Sequence, residues 1–309
     1  MSTLNEVFST LSTRRRYEVW FLRLGLTDGS GAFWLRYLLM NPGRGGCPGS
    51  APVQVWATWF VAGGKPHTLI QGFPVHEIDL SAKGQAPFHF RTHENEIGED
   101  FCRGTLKGDG HTVSWNLRYR STFHVTLSNK GWIGFSRTPH SDAVFCGEIT
   151  LDGLRFAGDP LGFGVQGHNC GYRHRNFWTW GHAYFPRIDR PASTLEALVY
   201  EMPFGLIFRR AVLWHEGESY RFSSLKGNAD RENMRWSFRC AARDGLQMEA
   251  SFDGSGSSVH RLLYMKTDCS GCFEVTNNSL ASASLLLETR RGKSEKLETN
   301  KGAVLEMAG

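Results

Sequence analysis

Apolar residues recur at every second position in segment after segment of this 309-residue chain. Val113, Trp115, Leu117 and Tyr119 alternate with Ser114, Asn116, Arg118 and Arg120. Trp236, Phe238 and Cys240 alternate with Arg235, Ser237 and Arg239, and Leu246, Met248, Ala250 and Phe252 with Gln247, Glu249, Ser251 and Asp253. A period of two places alternate side chains on one face of a pleated strand, so each segment predicts a strand with one buried face. Asp-Gly dipeptides begin at Asp28, Asp109, Asp152, Asp244 and Asp253, and each suits a hairpin turn that needs positive φ. Strands joined by such turns pair antiparallel, as a sandwich or a barrel. One segment departs from this period. Leu4, Val7, Phe8 and Leu11 fall at i, i+3, i+4 and i+7, with Thr3 and Glu6 spaced as a capping box, and predict a short N-terminal helix.

Aromatic residues make up 13% of the chain, with ten Trp and twenty-one Phe, more than a core of this size needs. They fit a strand-rich protein, and they equally fit an aromatic-lined cavity for a large apolar ligand. The excess favours barrels, whose lumen can hold such a ligand. The length allows two domains, and a loose internal repeat supports them. Tyr17 to Trp20 followed by Phe33 to Pro42 opens the first half; Asn176 to Trp180 followed by Leu195 to Pro203 opens the second. The division falls at 1–165 and 166–309. Ligand sites favour domain interfaces. The charged stretch from Arg290 to Lys301 reads as an exposed turn before a last strand, Ala303 to Met307.

Several function classes are unsupported. The net charge of +5 is scattered, the run Arg14 to Arg16 marks a solvated segment end, and no basic stripe with interleaved aromatics suggests nucleic acid. Seven Cys without regular spacing, including a lone Cys269-x-x-Cys272, favour free thiols in a reducing compartment. With no signal core and no run of about twenty apolar residues, the expectation is a soluble, cytoplasmic protein. Gly-rich phosphate loops, a GxSxG elbow and a protease-like Cys/His pair are missing, so the sequence asks for no cofactor.

The stretch Gly164 to His182 concentrates polar and aromatic residues, with His168, His174, His182, Trp178 and Trp180. The His spacings match no zinc pattern and no carboxylate stands among them, so no metal is expected. His168 is open to two readings: a ring that hydrogen-bonds backbone to fix the inter-domain turn, or a donor or acid aimed into a cavity. Trp178 and Trp180 face one side of a strand, either as core or as a shield for a carbocation. Trp20, Trp34, Trp56 and Trp59 carry the same two readings. Glu196, Leu198, Tyr200 and Met202 share one strand face, and Leu195, Ala197, Val199 and Glu201 the other. Whichever face lines a cavity puts a carboxyl there, and desolvation would keep it protonated as a general acid requires.

Tyr17 to Trp20, Phe33 to Tyr37, and Gly167-His-Asn-Cys-Gly171 followed by Trp178-Thr-Trp180 resemble the AttH-like and carotenoid 1,2-hydratase (hydroxyneurosporene synthase) superfamily. Tocopherol cyclases and fungal lipocalin-like Diels–Alderases are its distant relatives. The family motif usually reads His-Asn-Trp-Gly or His-Ser-Trp-Gly, then Trp-x-Trp. The resemblance implies an all-β fold of two packed lipocalin-like antiparallel β-barrels. It also implies enzymes that hydrate, cyclise or fold polyenes without a cofactor. His168 matches the motif His; Cys170 replaces the usual Trp; Glu196 and Glu201 stand where the hydratases carry Asp. These departures bear on carotenoid hydration itself.

The reading is therefore a hydratase or cyclase acting by proton transfer on a hydrophobic polyene- or terpenoid-like molecule, met through transient membrane-surface contact. His168, Glu196, Glu201 and Tyr200 are the catalytic candidates. Asn169, Cys170, Trp178, Trp180, His182, Trp20, Trp34 and Trp59 are the substrate-contact candidates. The alternatives are a carrier for an apolar ligand and a structural protein whose barrels are filled by their own side chains. If Cys170 lines the pocket, its small size leaves room beside His168 for a bulkier ligand; otherwise Phe177 or Tyr172 fills the gap.

Overall fold

The computed structural model describes residues 4–309 apart from 176, 188, 243, 244, 290 and 291. Thr3 of the expected cap, Asn176 of the repeat, Asp244 of a turn and Arg290 of the charged stretch lie outside the described residues. The described residues form an all-β structure of two antiparallel sheets.

The first sheet contains β1 (Tyr17–Leu26), β2 (Gly31–Met40), β3 (Val53–Val61), β4 (His67–Phe73), β5 (Ile78–Leu80) and β6 (His89–Thr92). It continues with β7 (Asn95–Gly98), β8 (Phe101–Gly108), β9 (His111–Arg120), β10 (Val125–Asn129), β11 (Gly134–Leu151) and β12 (Leu154–Gly171). Its order is β4-β3-β2-β1-β12-β11-β9-β8-β7-β6-β5, with β10 on β11, and it curls into a nearly closed barrel. The second contains β13 (Trp178–Phe185), β14 (Ser193–Glu201), β15 (Ile207–His215), β16 (Glu218–Phe222) and β17 (Lys226–Asp230). It ends with β18 (Arg235–Ala241), β19 (Gln247–Asp253), β20 (His260–Met265), β21 (Cys272–Glu288) and β22 (Ser294–Ala308). Its order is β16-β15-β14-β13-β22-β21-β19-β18-β17, with β20 on β21.

The loose sequence repeat corresponds to a repeat of topology. In each sheet the opening strand lies between its hairpin partner and the sheet's last strand, and a short strand leans on the next-to-last one. β12 pairs with β1 as far as Gly171 and β13 begins at Trp178, so the first sheet extends a few residues beyond the 165/166 division.

The alternating segments become β9, β18 and β19, as their pattern predicts. Asp109-Gly110 and Asp152-Gly153 form hairpin turns with positive φ at both residues. Asp253 ends β19 instead of turning it, and its carboxylate caps Ser255.

The N-terminal helix is not formed. Residues 6–10 are irregular, and burial alternates at Asn5, Val7 and Ser9. Their backbone groups are taken by side chains of the barrel. Trp20 donates to the Asn5 carbonyl, and Glu18 accepts from the N–H groups of Phe8 and Ser9. Those bonds replace the i→i−4 ladder a helix needs. The charged stretch before Ala303 is a turn only at its start, where Thr289 and Lys293 are joined by a backbone hydrogen bond; Ser294–Ala308 is one strand, with Leu297 and Thr299 facing inward. Nor are all thiols free. Cys47 and Cys269, 222 residues apart, form a disulfide between loops that only the fold brings together, and Cys272 stays unpaired.

Side chains fill the interior of the first sheet, including Trp20, Tyr37, Trp59, Phe88, Phe90 and Trp115. The second sheet has its own core around Phe185, Phe222, Trp236, Phe238 and Phe252. Between the sheets lies a third cluster of Val19, Phe21, Trp34, Trp180, Leu198, Tyr200 and Val212. Arg23 on β1 crosses this boundary. Fully buried, it donates to the carbonyls of Ser279, Lys301, Gly302 and Ala303.

Candidate functional site

β1, β2, β13, β14 and β22 are buried on both faces near the junction, one face toward a sheet interior and the other toward the opposite sheet. Trp34, Arg36 and Leu38 of β2 project to the junction, as do Trp178, Trp180 and His182 of β13. Register places Trp180 between Leu198 and Glu306, and His182 between Glu196 and Val304. One carboxyl from each neighbouring strand therefore reaches the face that meets the first sheet.

A cavity of about 140 Å³ opens there. Tyr17, Phe21, Trp34, Trp178, Trp180, Tyr200 and Tyr264 give it aromatic walls, and Arg36, His174 and Glu306 add polar groups. Trp178 Nε1 donates to Glu306 Oε1 at 3.0 Å. The Tyr264 hydroxyl and the Asn277 amide donate to Oε2 at 3.3 and 3.4 Å. Burial pushes the Glu306 carboxyl above the usual carboxylate range, against the lowering pull of the Arg36 charge and of these donors. His174 stacks on Tyr17 at 4.0 Å, and burial with the Arg36 charge lowers it to about 3, so its ring is neutral.

Of the expected site residues, Trp34, Asn169, Cys170, Trp178, Trp180 and Tyr200 line this cavity. The Tyr200 hydroxyl shares a hydrogen bond with Ser128 at 3.0 Å. Cys170 contributes to the lining, but it shares the strand face of His168, opposite Glu18, and Arg16 Nη1 lies 3.5 Å from its sulfur. Glu196 stands behind Trp180. Its Oε1 accepts from Trp180 Nε1 at 2.9 Å and from the Thr138 hydroxyl at 2.8 Å, while Oε2 has no partner among the described residues. Burial raises this carboxyl to about 7. His182, opposite it, donates from Nε2 to the Ser141 carbonyl at 2.7 Å, and burial lowers it to about 3.

Neither Glu196 nor His182 is among the lining residues, and the four remaining expected site residues do not line the cavity either. Trp20 is inside the first sheet, stacked between Phe88 and His168, and Trp59 is there too, against His67. Glu201 is half-buried on the opposite face of β14 from Tyr200. His168 is fully buried, with Nδ1 2.8 Å from the Leu4 carbonyl and Nε2 2.9 Å from Glu18. Its backbone partner is thus the N-terminal segment and not the turn between the sheets.

Glu306, Arg36 and Tyr264 were not among the expected residues. The available signal for Glu306 was a lone acid within the apolar run Ala303 to Met307, and for Arg36 a lone cation within Phe33 to Met40. Among the described residues His215, Glu216 and Glu295 could converge on a metal ion. Arg187 pairs with both carboxylates, at 3.4 and 2.7 Å, and supplies the positive charge in their place.

No family model matches the sequence, and no curated protein matches it. Solved structures do share the fold. The chain is similar to CghA, crystallised with Sch210972, with a TM-score of 0.65 and 12% identity over 95% of this chain and 88% of that one. It is similar to kievitone hydratase from Nectria haematococca, with a TM-score of 0.56 and 11% identity over 98% and 93%. A protein from Nitrosomonas europaea named after AttH gives 0.50 and 12% over 98% and 94%. At these identities the likeness is one of fold.

Proposed function

We propose that this protein is a cofactor-independent hydratase or cyclase that protonates a hydrophobic polyene- or terpenoid-like substrate in the cavity between its sheets. One observation carries the reading: Glu306 is a desolvated carboxyl, favouring its protonated form, in an aromatic-walled cavity. The neighbour named as a hydratase supports it by fold alone. Glu306 gives its proton to one alkene carbon, whose π pair forms the new C–H bond. The adjacent carbon becomes a cation, and the new carboxylate keeps the donors Trp178, Tyr264 and Asn277. The rings of Trp34, Trp178 and Trp180 face that charge, an attraction of about 2 kcal/mol when desolvated. In a hydratase, water adds its lone pair to the cation and returns a proton to Glu306. In a cyclase, the π pair of a second double bond adds to the cation, and the cyclised cation then loses a proton to the Glu306 carboxylate, forming an alkene.

The cavity is smaller than the roughly 300–1,000 Å³ of drug-sized pockets, so it holds the reacting end of the substrate. Trp132 and Ile133 stand exposed beside the lining residue Lys130 and offer a surface for collecting substrate from a membrane.

Incubation in D2O with polyprenoid acids, alcohols and hydrocarbons tests the reading. One deuterium should enter the product at the new C–H bond, read by mass spectrometry. Glu306→Gln should cut the rate about 10²- to 10⁴-fold. Native mass spectrometry showing an unchanged apolar ligand at one copy per chain, with no deuterium in any product, favours a carrier.

A further inference from the structure

The cavity has an unbalanced set of charges. Arg36, Lys130, Arg173 and Arg175 line it, and Glu306 is its one carboxylate-type residue among those lining residues. Arg36 is the informative one. Its side chain rises from the middle of β2, 7% exposed, and its guanidinium lies over the rings of Tyr264 and Trp56 at 4.2 and 4.6 Å. Those faces supply part of what the cation loses on leaving water, but Nη1 has no hydrogen-bond partner among the described residues. Trp34 Nε1, in the same wall and also buried, has none either.

Burying a guanidinium without a full set of acceptors is costly, and an incoming oxyanion would relieve that cost with charge-assisted, bidentate bonds. Glu306 feels the Arg36 charge, but among the described residues no hydrogen bond or ion pair joins the two side chains. Nearer the mouth, Arg173 is exposed and Arg175 lies over the Tyr200 ring at 5.2 Å, adding positive field where a ligand enters.

We propose that the ligand of this cavity carries an anionic oxygen group, of the carboxylate class, on its apolar skeleton, and that Arg36 receives it. The inference rests on the cavity being the ligand site, and it adds the charge of the ligand. It also explains why a site with aromatic walls contains a buried cation: the apolar part meets the rings, and the anion fixes which end of the skeleton approaches Glu306.

The test pairs two probes of equal shape, 1-naphthoate and 1-naphthamide, titrated into the full chain by calorimetry at neutral pH. The naphthoate should bind at least about tenfold tighter, as a charge-assisted bond to a buried cation allows. Arg36→Met should erase the preference by weakening the naphthoate far more than the amide, and Arg36→Lys should keep part of it. If Arg36→Met does not fold, the double variant Arg173→Gln/Arg175→Gln should reduce the preference, as should raising salt from 0.05 to about 0.5 M. Equal affinity for the two probes, or an undiminished preference in these variants, overturns the anion and leaves the cavity reading standing. Binding of neither probe overturns both.

Discussion

His168 Nε2 lies 2.9 Å from Glu18 Oε1, with both side chains fully buried. The other ring nitrogen lies 2.8 Å from the Leu4 carbonyl, so each ring nitrogen has a partner. Burial alone would raise the Glu18 carboxyl. The hydrogen bond and charge of His168, with the N–H groups of Phe8 and Ser9, outweigh it and hold Glu18 below the usual range. The pair joins β1, β12 and the N-terminal segment at one end of the first sheet.

Removing His168 takes away the hydrogen bond that holds the buried Glu18 carboxylate, and removing the Glu18 charge takes the acceptor from a fully buried ring. His168→Gln and Glu18→Gln should each cost about 3–5 kcal/mol in denaturant unfolding and open residues 4–10 to proteolysis. A His168→Gln protein of unchanged stability that has lost turnover would return this histidine to the catalytic role.

Cys170 sits beside that pair, 1% exposed, with burial raising its thiol to about 12. Bulk at this position meets Arg16 and Glu18 as well as the cavity. Cys170→Trp should therefore overpack the site and lower stability by about 1–3 kcal/mol, seen as a reduced Tm. A variant with wild-type Tm that no longer admits 1-naphthamide would place the side chain in the pocket instead.

These cases show what kind of structure a sequence pattern carries. β9, β18 and β19 have one wet face, so alternation marks both the strand and its inward side. β2 is buried along its whole length, and β14 along nearly all of it, because each is covered by a sheet interior and by the opposite sheet. Apolar residues on both faces erase the period, so the sequence leaves Glu196 and Glu201 equivalent, whereas the structure puts Tyr200, on the Glu196 face, at the junction. The N-terminal segment is too short for a 3.6-residue period to be told from a period of two, and what decides its form is distant: Glu18, Trp20 and His168. Glu306 and Arg36 were visible as lone charges in apolar strands, but only the packing of two sheets makes them neighbours of one cavity.

Glu196 supplies a pH dependence of stability. Its folded value of about 7 lies above the ordinary 4.5, so the folded state binds the proton more tightly than the unfolded chain does. The resulting stabilisation is fully present below about pH 4.5 and is lost as pH rises through 7. A difference of this size corresponds to about 3 kcal/mol. Unfolding free energies between pH 4.5 and 8 should fall by that order in the wild type relative to Glu196→Gln, which keeps the acceptor for Trp180 and Thr138 but cannot ionise. Parallel curves for the two proteins would mean that Glu196 is not the group responsible.

Arg23 provides the sharpest test of how the two sheets hold together. Its guanidinium, lowered to about 9 by burial, meets carbonyls of β21 and β22 where their register slips between Asn278 and Ala283. That irregularity leaves the Ser279, Lys301 and Ala303 carbonyls aimed at β1, and Arg23 is what satisfies them. Arg23→Met removes the donors and keeps the side-chain bulk, leaving several buried acceptors unpaired at about 1–3 kcal/mol each. The loss should exceed about 4 kcal/mol in total and loosen the junction first. In hydrogen exchange, β1, β21 and β22 should lose protection before the strand pair β18–β19, which lies away from the contact. Uniform loss across the second sheet would instead make Arg23 part of a single cooperative core.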